Sequence, residues 1–178
     1  VIDKKDFLKA YPMHEDLGFL SMTDKGDAVS YQTQLNGMLL TPQLMKVEEG
    51  EQLQMTRSYL ENGKVIEAET VKGLGVDGDV NYPFLMPDGQ TFYFAARSND
   101  GYGNYDLYVT RYDSESKQFY QAENMGYPYN SYANDYMMVI DENAGVGWFA
   151  SDRYQSQDKV CVYTFIPNQS RQTIDYES

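Results

Sequence analysis

Cysteine and histidine are nearly absent from this chain, with one of each in 178 residues. A single thiol, Cys161, cannot form an internal disulfide, so cysteine usage does not report the compartment. Zinc sites draw on several Cys or His ligands, which the chain cannot supply. A Ser-His-Asp or Cys-His arrangement would need the one histidine, His14, beside a nucleophile. His14 instead lies in a leader outside the repeats set out below and reads as an exposed side chain. Cys161 sits in VCVYTF, a strand-like run where a thiol behaves as a small hydrophobe, and is expected to be buried. No apolar run approaches the ~20 residues that span a bilayer. A basic-then-apolar signal segment is also missing. The chain starts at VIDKKDF without methionine, which fits a processed protein or a piece cut from a longer one. Nor does any segment sustain apolar spacings of three and four, so little helix is expected.

Basic side chains are scarce too: 14 Lys and Arg against 27 Asp and Glu give a net charge of −13. Such a surface argues against nucleic acid, whose phosphates need cations, and against adsorption to anionic lipid. Solubility is the plainer reading of the acidity. What the chain has in quantity is aromatic residues, 15% of the total with 17 tyrosines. Disordered chains lack these, so this one is expected to fold, and its length suits a single domain with a real core.

Residues 81–113 organise the rest. They read as strands at 82–86, 91–96 and 106–112, with Pro87-Asp88-Gly89 turning the first into the second. Proline presets φ, aspartate bonds the backbone two residues on, and glycine accepts φ > 0. The middle strand, TFYFAA, is apolar at nearly every position, as expected of a strand covered on both faces. The pattern recurs. A shift of about 54 residues, within the range of propeller-type repeats, aligns Leu53 with Leu107 and Cys161, and Met55 with Val109 and Tyr163. Asp24-Lys25-Gly26 precedes AVSYQT as Pro87-Asp88-Gly89 precedes TFYFAA, and residues 141–145 precede GWFASD, placing Trp148 opposite Tyr93. Three units result, about 17–71, 80–125 and 135–176, each a meander of up to four strands, behind a leader at 1–16.

Unit one is the least regular. Its residues 34–51 contain MLLTPQLM, an extended loop or an extra strand pair, where Pro42 weakens a central-strand reading. Asn62-Gly63 is a strong hairpin signal. In the leader, DFLKAY fits either a short strand or one helical turn, and adds at most one strand to a sheet. Residues 172–176 read as the last outer strand.

FLMPDGQTFYFAARSNDGYGNYDLYV and its second copy YMMVIDENAGVGWFASDRYQSQDKVCVY resemble TolB-like propeller repeats, of the WD40-like class with Pro-Asp-Gly between the first two strands. The resemblance covers about four-fifths of the chain and is poorest in unit one, which lacks the turn proline and the arginine after the middle strand. It implies an all-β, propeller-like array of about three four-stranded antiparallel blades, an incomplete propeller within a single domain at 1–178. It also implies a periplasmic or envelope-associated protein of Gram-negative type. Members of the family are mostly non-enzymatic and present surfaces to partners. The peptidoglycan-binding and tetratricopeptide segments that often accompany such repeats are not visible here.

Candidate site residues follow. Tyr102 and Tyr105 lie in one inter-strand loop, and Tyr127, Tyr129 and Tyr132 in an inter-unit loop; tyrosine is enriched in recognition surfaces. Packing of these loops over strand edges is the plainer alternative. Asp88, Gly89, Asp141 and Asp152 at turns, Trp148 in a middle strand, and Arg97 and Arg153 at one repeat position read as structural. The arginines would bond loop carbonyls or an aspartate of a neighbouring unit. Asp77-Gly78-Asp79 and Asn99-Asp100-Gly101 offer oxygen ligands, but neither has the calcium-loop spacing, and solvated turns are preferred. The expectation is a non-catalytic interaction module of the envelope, without catalytic residues, cofactor or metal. It binds a protein partner, does not insert in a membrane, and self-associates through open faces. The competing expectation is a carbohydrate-binding or glycan-processing propeller using the tyrosine loops and spare carboxylates.

Overall fold

Local turn chemistry sets the strand order. Asp88 accepts the backbone N–H groups of Gln90 and Thr91 at 2.8 and 2.9 Å, and Gly89 takes φ +71°. That turn joins β7 (Val80–Leu85) to β8 (Thr91–Arg97). Asn62 and Gly63, both at positive φ, join β5 (Gly50–Glu61) to β6 (Lys64–Thr70). The structure, a computed structural model, describes residues 1–23, 25–34, 37–97 and 104–167. It is all-β apart from two short 3₁₀ helices, Lys4–Ala10 and Glu15–Leu17.

Three antiparallel sheets follow one another along the chain. The first runs β2 (Phe19–Met22), β3 (Val29–Gln32), β4 (Met38–Val47), β5, β6. The second runs β7, β8, β9 (Tyr105–Asp113), with β10 (Gln118–Phe119) and β11 (Glu123–Asn124) both on the outer side of β9. The third is β12 (Asp135–Asp141), β13 (Val146–Ser151), β14 (Lys159–Phe165) and β1 (Ile2–Asp3). Its outer strand thus comes from the N-terminus, through Ile2↔Val160 and Asp3↔Lys159. The outer strand expected at 172–176 lies outside the described residues.

Register makes the second and third sheets equivalent at a spacing of 55 residues. Asn81↔Ala95 and Phe84↔Tyr93 in one become Tyr136↔Ala150 and Val139↔Trp148 in the other. Both first strands carry a one-residue bulge between those pairs, with Tyr82 and Met137 at φ 57° and 56°. Non-glycine residues rarely adopt this conformation, so its recurrence marks a built-in bend. The spacing corrects two alignments. Leu107 faces Ala95 as Val162, not Cys161, faces Ala150. A one-residue slip in a strand exchanges its faces, and Cys161, the counterpart of Asp106, is half-buried rather than buried. Likewise Arg97 corresponds to Asp152 and not to Arg153: Arg97 N donates to Asp79 O, and Asp152 N to Asn134 O.

The first sheet follows the same plan with different strands than the sequence indicates. β7 packs on β3, β4 and β5 as β12 packs on β7, β8 and β9. Thr33 N donates to Met38 O where Met86 N donates to Thr91 O. β3, containing AVSYQT, is therefore the counterpart of β7, and MLLTPQLM, as β4, is the counterpart of TFYFAA. β2 is additional. Pro42 does lie in a central strand, but the recorded β3–β4 pairs are Tyr31↔Leu40 and Gln32↔Leu39, short of the residue that has no N–H to give.

β7 and β12 each leave an inner edge, which the leader covers, whereas β2 pairs with β3. Phe7 stands edge-on to Tyr82 and Tyr136, 5.9 and 5.2 Å between ring centroids. Tyr11 Oη donates to Met137 O at 2.7 Å. Tyr31 Oη reaches Leu17 O at 2.7 Å and Leu85 O at 2.9 Å, fastening β3 to both. Open sheet edges template unwanted pairing, and DFLKAY, coiled as a 3₁₀ helix, blocks this one with aromatic rings. β7, β8 and β12 are buried at almost every position.

Candidate interaction face

At one end of the second and third sheets the linker at 125–134 and the loop at 152–158 come together. Side chains that look like ordinary loop polars build this junction. Asn130 accepts Leu107 N at 2.6 Å and donates to Leu107 O at 2.9 Å, completing a strand rung from a loop. Asn134 Oδ1 accepts Tyr105 N at 3.0 Å, as Asp79 Oδ1 accepts Leu53 N at 2.9 Å between the first two sheets. Asn134 also donates to both carboxylate oxygens of Asp152.

Arg153 locks the junction. Its Nη2 meets Asp135 Oδ1 at 2.8 Å; the aspartate is fully buried and the arginine half-buried. Nη1 donates to Pro128 O at 3.0 Å, Nη2 also to Tyr129 O, and Nε to Ser151 Oγ at 2.9 Å. The guanidinium lies 5.5 and 5.6 Å from the rings of Phe149 and Tyr163. Asp135 is satisfied in turn by Ser131 and Ser151. A charge removed from water needs such complete pairing.

Around this anchor the tyrosines divide. Tyr127 and Tyr132 project from the linker, 92% and 64% exposed, and Tyr154, next to Arg153, is 84% exposed. Tyr132 is held from behind by Asn104, whose amide donates to its carbonyl at 2.6 Å. Tyr129 turns inward, edge-on to Phe149 and Phe165 at 5.8 and 5.1 Å. Tyr105 is not a loop residue: it opens β9, is buried, and lies beneath Arg97 at 4.6 Å and against Tyr82 at 5.4 Å. Tyr102 and the 99–101 loop lie outside the described residues. Tyr154 was not singled out by sequence, although its place after the arginine was the available signal.

The remaining candidates sit apart from this face. Asp88 holds the β7–β8 turn at the opposite end of its sheet. Burial pushes its carboxyl up, but bonds from Thr91 and Gln90 outweigh this and hold it below the ordinary value. Asp141 is buried at the end of β12 and accepts Ala144 N at 3.1 Å. His14 is exposed, 3.8 Å from Asp141 Oδ2. Trp148 is buried in β13. Asp79 is committed to Leu53 and lies 3.9 Å from Arg97. Among the described residues no group of three or more His, Cys, Asp or Glu converges as a metal site would require.

A cleft of about 460 Å³ opens beside the leader, between Lys4, Lys5 and Met22, with Phe7, Tyr82 and Tyr136 beneath. The buried Tyr136 Oη has no hydrogen-bond partner. A scan against protein-family models finds none that matches the chain, and a search of curated proteins finds no match either.

Proposed function

We propose that the three sheets are blades of an incomplete, propeller-like array, and that the chain is a non-catalytic protein-interaction module of a bacterial envelope. The blade reading is supported by the first strand of one sheet lying across the face of the sheet before it. The envelope assignment rests on the likeness of residues 84–109 and 136–163 to TolB-like repeats. The observation that carries the functional reading is the trio Tyr127, Tyr132 and Tyr154, exposed on backbone that Arg153 and Asn104 hold fixed. Rigid, exposed aromatic rings bind at low entropic cost, since little is left to order on association. A protein partner without strong negative charge suits a chain of net charge −13.

The cleft beside Lys4 and Lys5 favours a second reading, a glycan-binding array, because the aromatic residues Phe7, Tyr82 and Tyr136 line it. One pair of experiments separates the two. Changing Tyr127, Tyr132 and Tyr154 together to alanine should abolish capture of a discrete partner from envelope extract while thermal stability stays within a few degrees. Saturable oligosaccharide binding, or polysaccharide turnover, that survives the triple change would reject the first reading.

A further inference from the structure

Arg57 of β5 sends its guanidinium out of the first sheet and into the second. Nη1 donates to Tyr112 Oη at 2.6 Å and to Lys117 O at 2.9 Å, with the Tyr112 ring 5.3 Å from the charge. The opposite edge, formed by Nε and Nη2, is used by half. Nη2 meets Glu69 Oε2 at 3.0 Å, while Nε is buried without a partner. This edge carries two parallel donors, matched to the two oxygens of one carboxylate. A buried donor left unpaired is costly and calls for an explanation. Glu69 is a weak occupant: its side chain is 69% exposed, and exposed ion pairs add little.

The surroundings suit an anion. Arg57 and Glu69 line a cleft of about 460 Å³ between the first two sheets, together with Lys72, Lys117, Val71 and Phe119. Three cations and one carboxylate thus meet in a chain whose net charge is −13. The volume falls in the range of small-molecule sites. We propose that this cleft binds a small aliphatic dicarboxylate. One carboxylate displaces Glu69 and seats on Nε and Nη2 together, which supplies the missing acceptor. The hydrocarbon stem lies along Val71 and Phe119, and the second carboxylate is held by Lys72 and Lys117. This site is separate from the tyrosine face and does not depend on it.

Calorimetric titration of the whole chain with glutarate at low ionic strength tests the proposal, with butyrate and inorganic phosphate as comparison probes. Glutarate should bind saturably and with one-to-one stoichiometry. Glu69→Gln removes the competing carboxylate and should tighten binding about two- to fivefold. Lys72→Ala and Lys117→Ala should each weaken it by a similar factor, as expected for single exposed charges. Arg57 is left intact because its bonds to the second sheet support the fold. Absence of saturable binding in both the native chain and Glu69→Gln would overturn the proposal. So would lysine variants that bind as the native chain does, butyrate binding as tightly as glutarate, or phosphate binding more tightly.

Discussion

Replacing Arg153 with alanine tests the anchor on which the tyrosine face depends. The side chain makes bonds to Asp135, Ser151, Pro128 and Tyr129 and stacks near Phe149 and Tyr163. Without it Asp135, fully buried, retains Ser131 and Ser151 but no cation. Removing one partner of a buried pair costs about 3–5 kcal/mol, because the other charge stays behind in a medium that solvates it poorly. For a chain of this size that is a fall of roughly 6–20 °C in Tm. Urea unfolding followed by fluorescence of Trp148, the only tryptophan, gives the free energy directly. The cause is isolated by adding Asp135→Asn, which removes the stranded charge and should recover part of the loss, so the two changes are less than additive. A cost below about 1 kcal/mol, the scale of exposed pairs, or strict additivity, would refute the reasoning.

Three further outcomes follow from the same structure. Trp148→Ala should cost about 3–5 kcal/mol in the same assay, as for other core aromatics, and a loss near that of a surface change would mean the β13 register is wrong. Burial raises the hydroxyls of Tyr11, Tyr31, Tyr82 and Tyr136 above the ordinary tyrosine range. The folded state therefore keeps protons that the unfolded state gives up, so stability is complete below pH about 10 and declines above it. Tyrosinate absorbance should rise in two stages, exposed rings first and these four only with unfolding; one smooth stage would contradict it. Cys161, half-buried on β14, should react with a small thiol reagent more slowly in the native than in the unfolded chain, yet measurably. Complete native protection would restore it to the core.

Much of the fold is legible in the residues that make turns and covered strands. Pro87-Asp88-Gly89, Asn62-Gly63 and TFYFAA each act through local conformation or burial, and each appears where those properties require. What is not legible depends on neighbours. Pro83 follows Tyr82 in the first bulge, but the bulge at Met137 has no glycine or proline to announce it, and each adds a residue that the partner strand does not match. Matching by residue type pairs Leu107 with Cys161 and Arg97 with Arg153, at spacings of 54 and 56, and only the strand pairing fixes the spacing at 55. In the first sheet, Asp24-Lys25-Gly26 before AVSYQT imitates the later turn, and only the packing of β7 on β3 shows AVSYQT to be a first strand. Tyr105 looks like a loop tyrosine because Gly103 and Asn104 precede it, yet β9 begins there and Tyr82 covers its ring. The roles of Asn130, Asn134 and Asp135 arise from loops meeting across sheets and leave no mark in local sequence.

The proposed function has partners meeting this chain at the loops bearing Tyr127, Tyr132 and Tyr154. Site-specific photocrosslinking in the source cells tests it directly, with a benzophenone amino acid placed at each of these positions in turn. Tyr120 is the internal control, since it is 59% exposed but lies between β10 and β11 on the outer side of the second sheet. One common crosslinked species is expected from the three loop positions and none from Tyr120. Crosslinks from Tyr120 alone, or different species from each loop position, would contradict it.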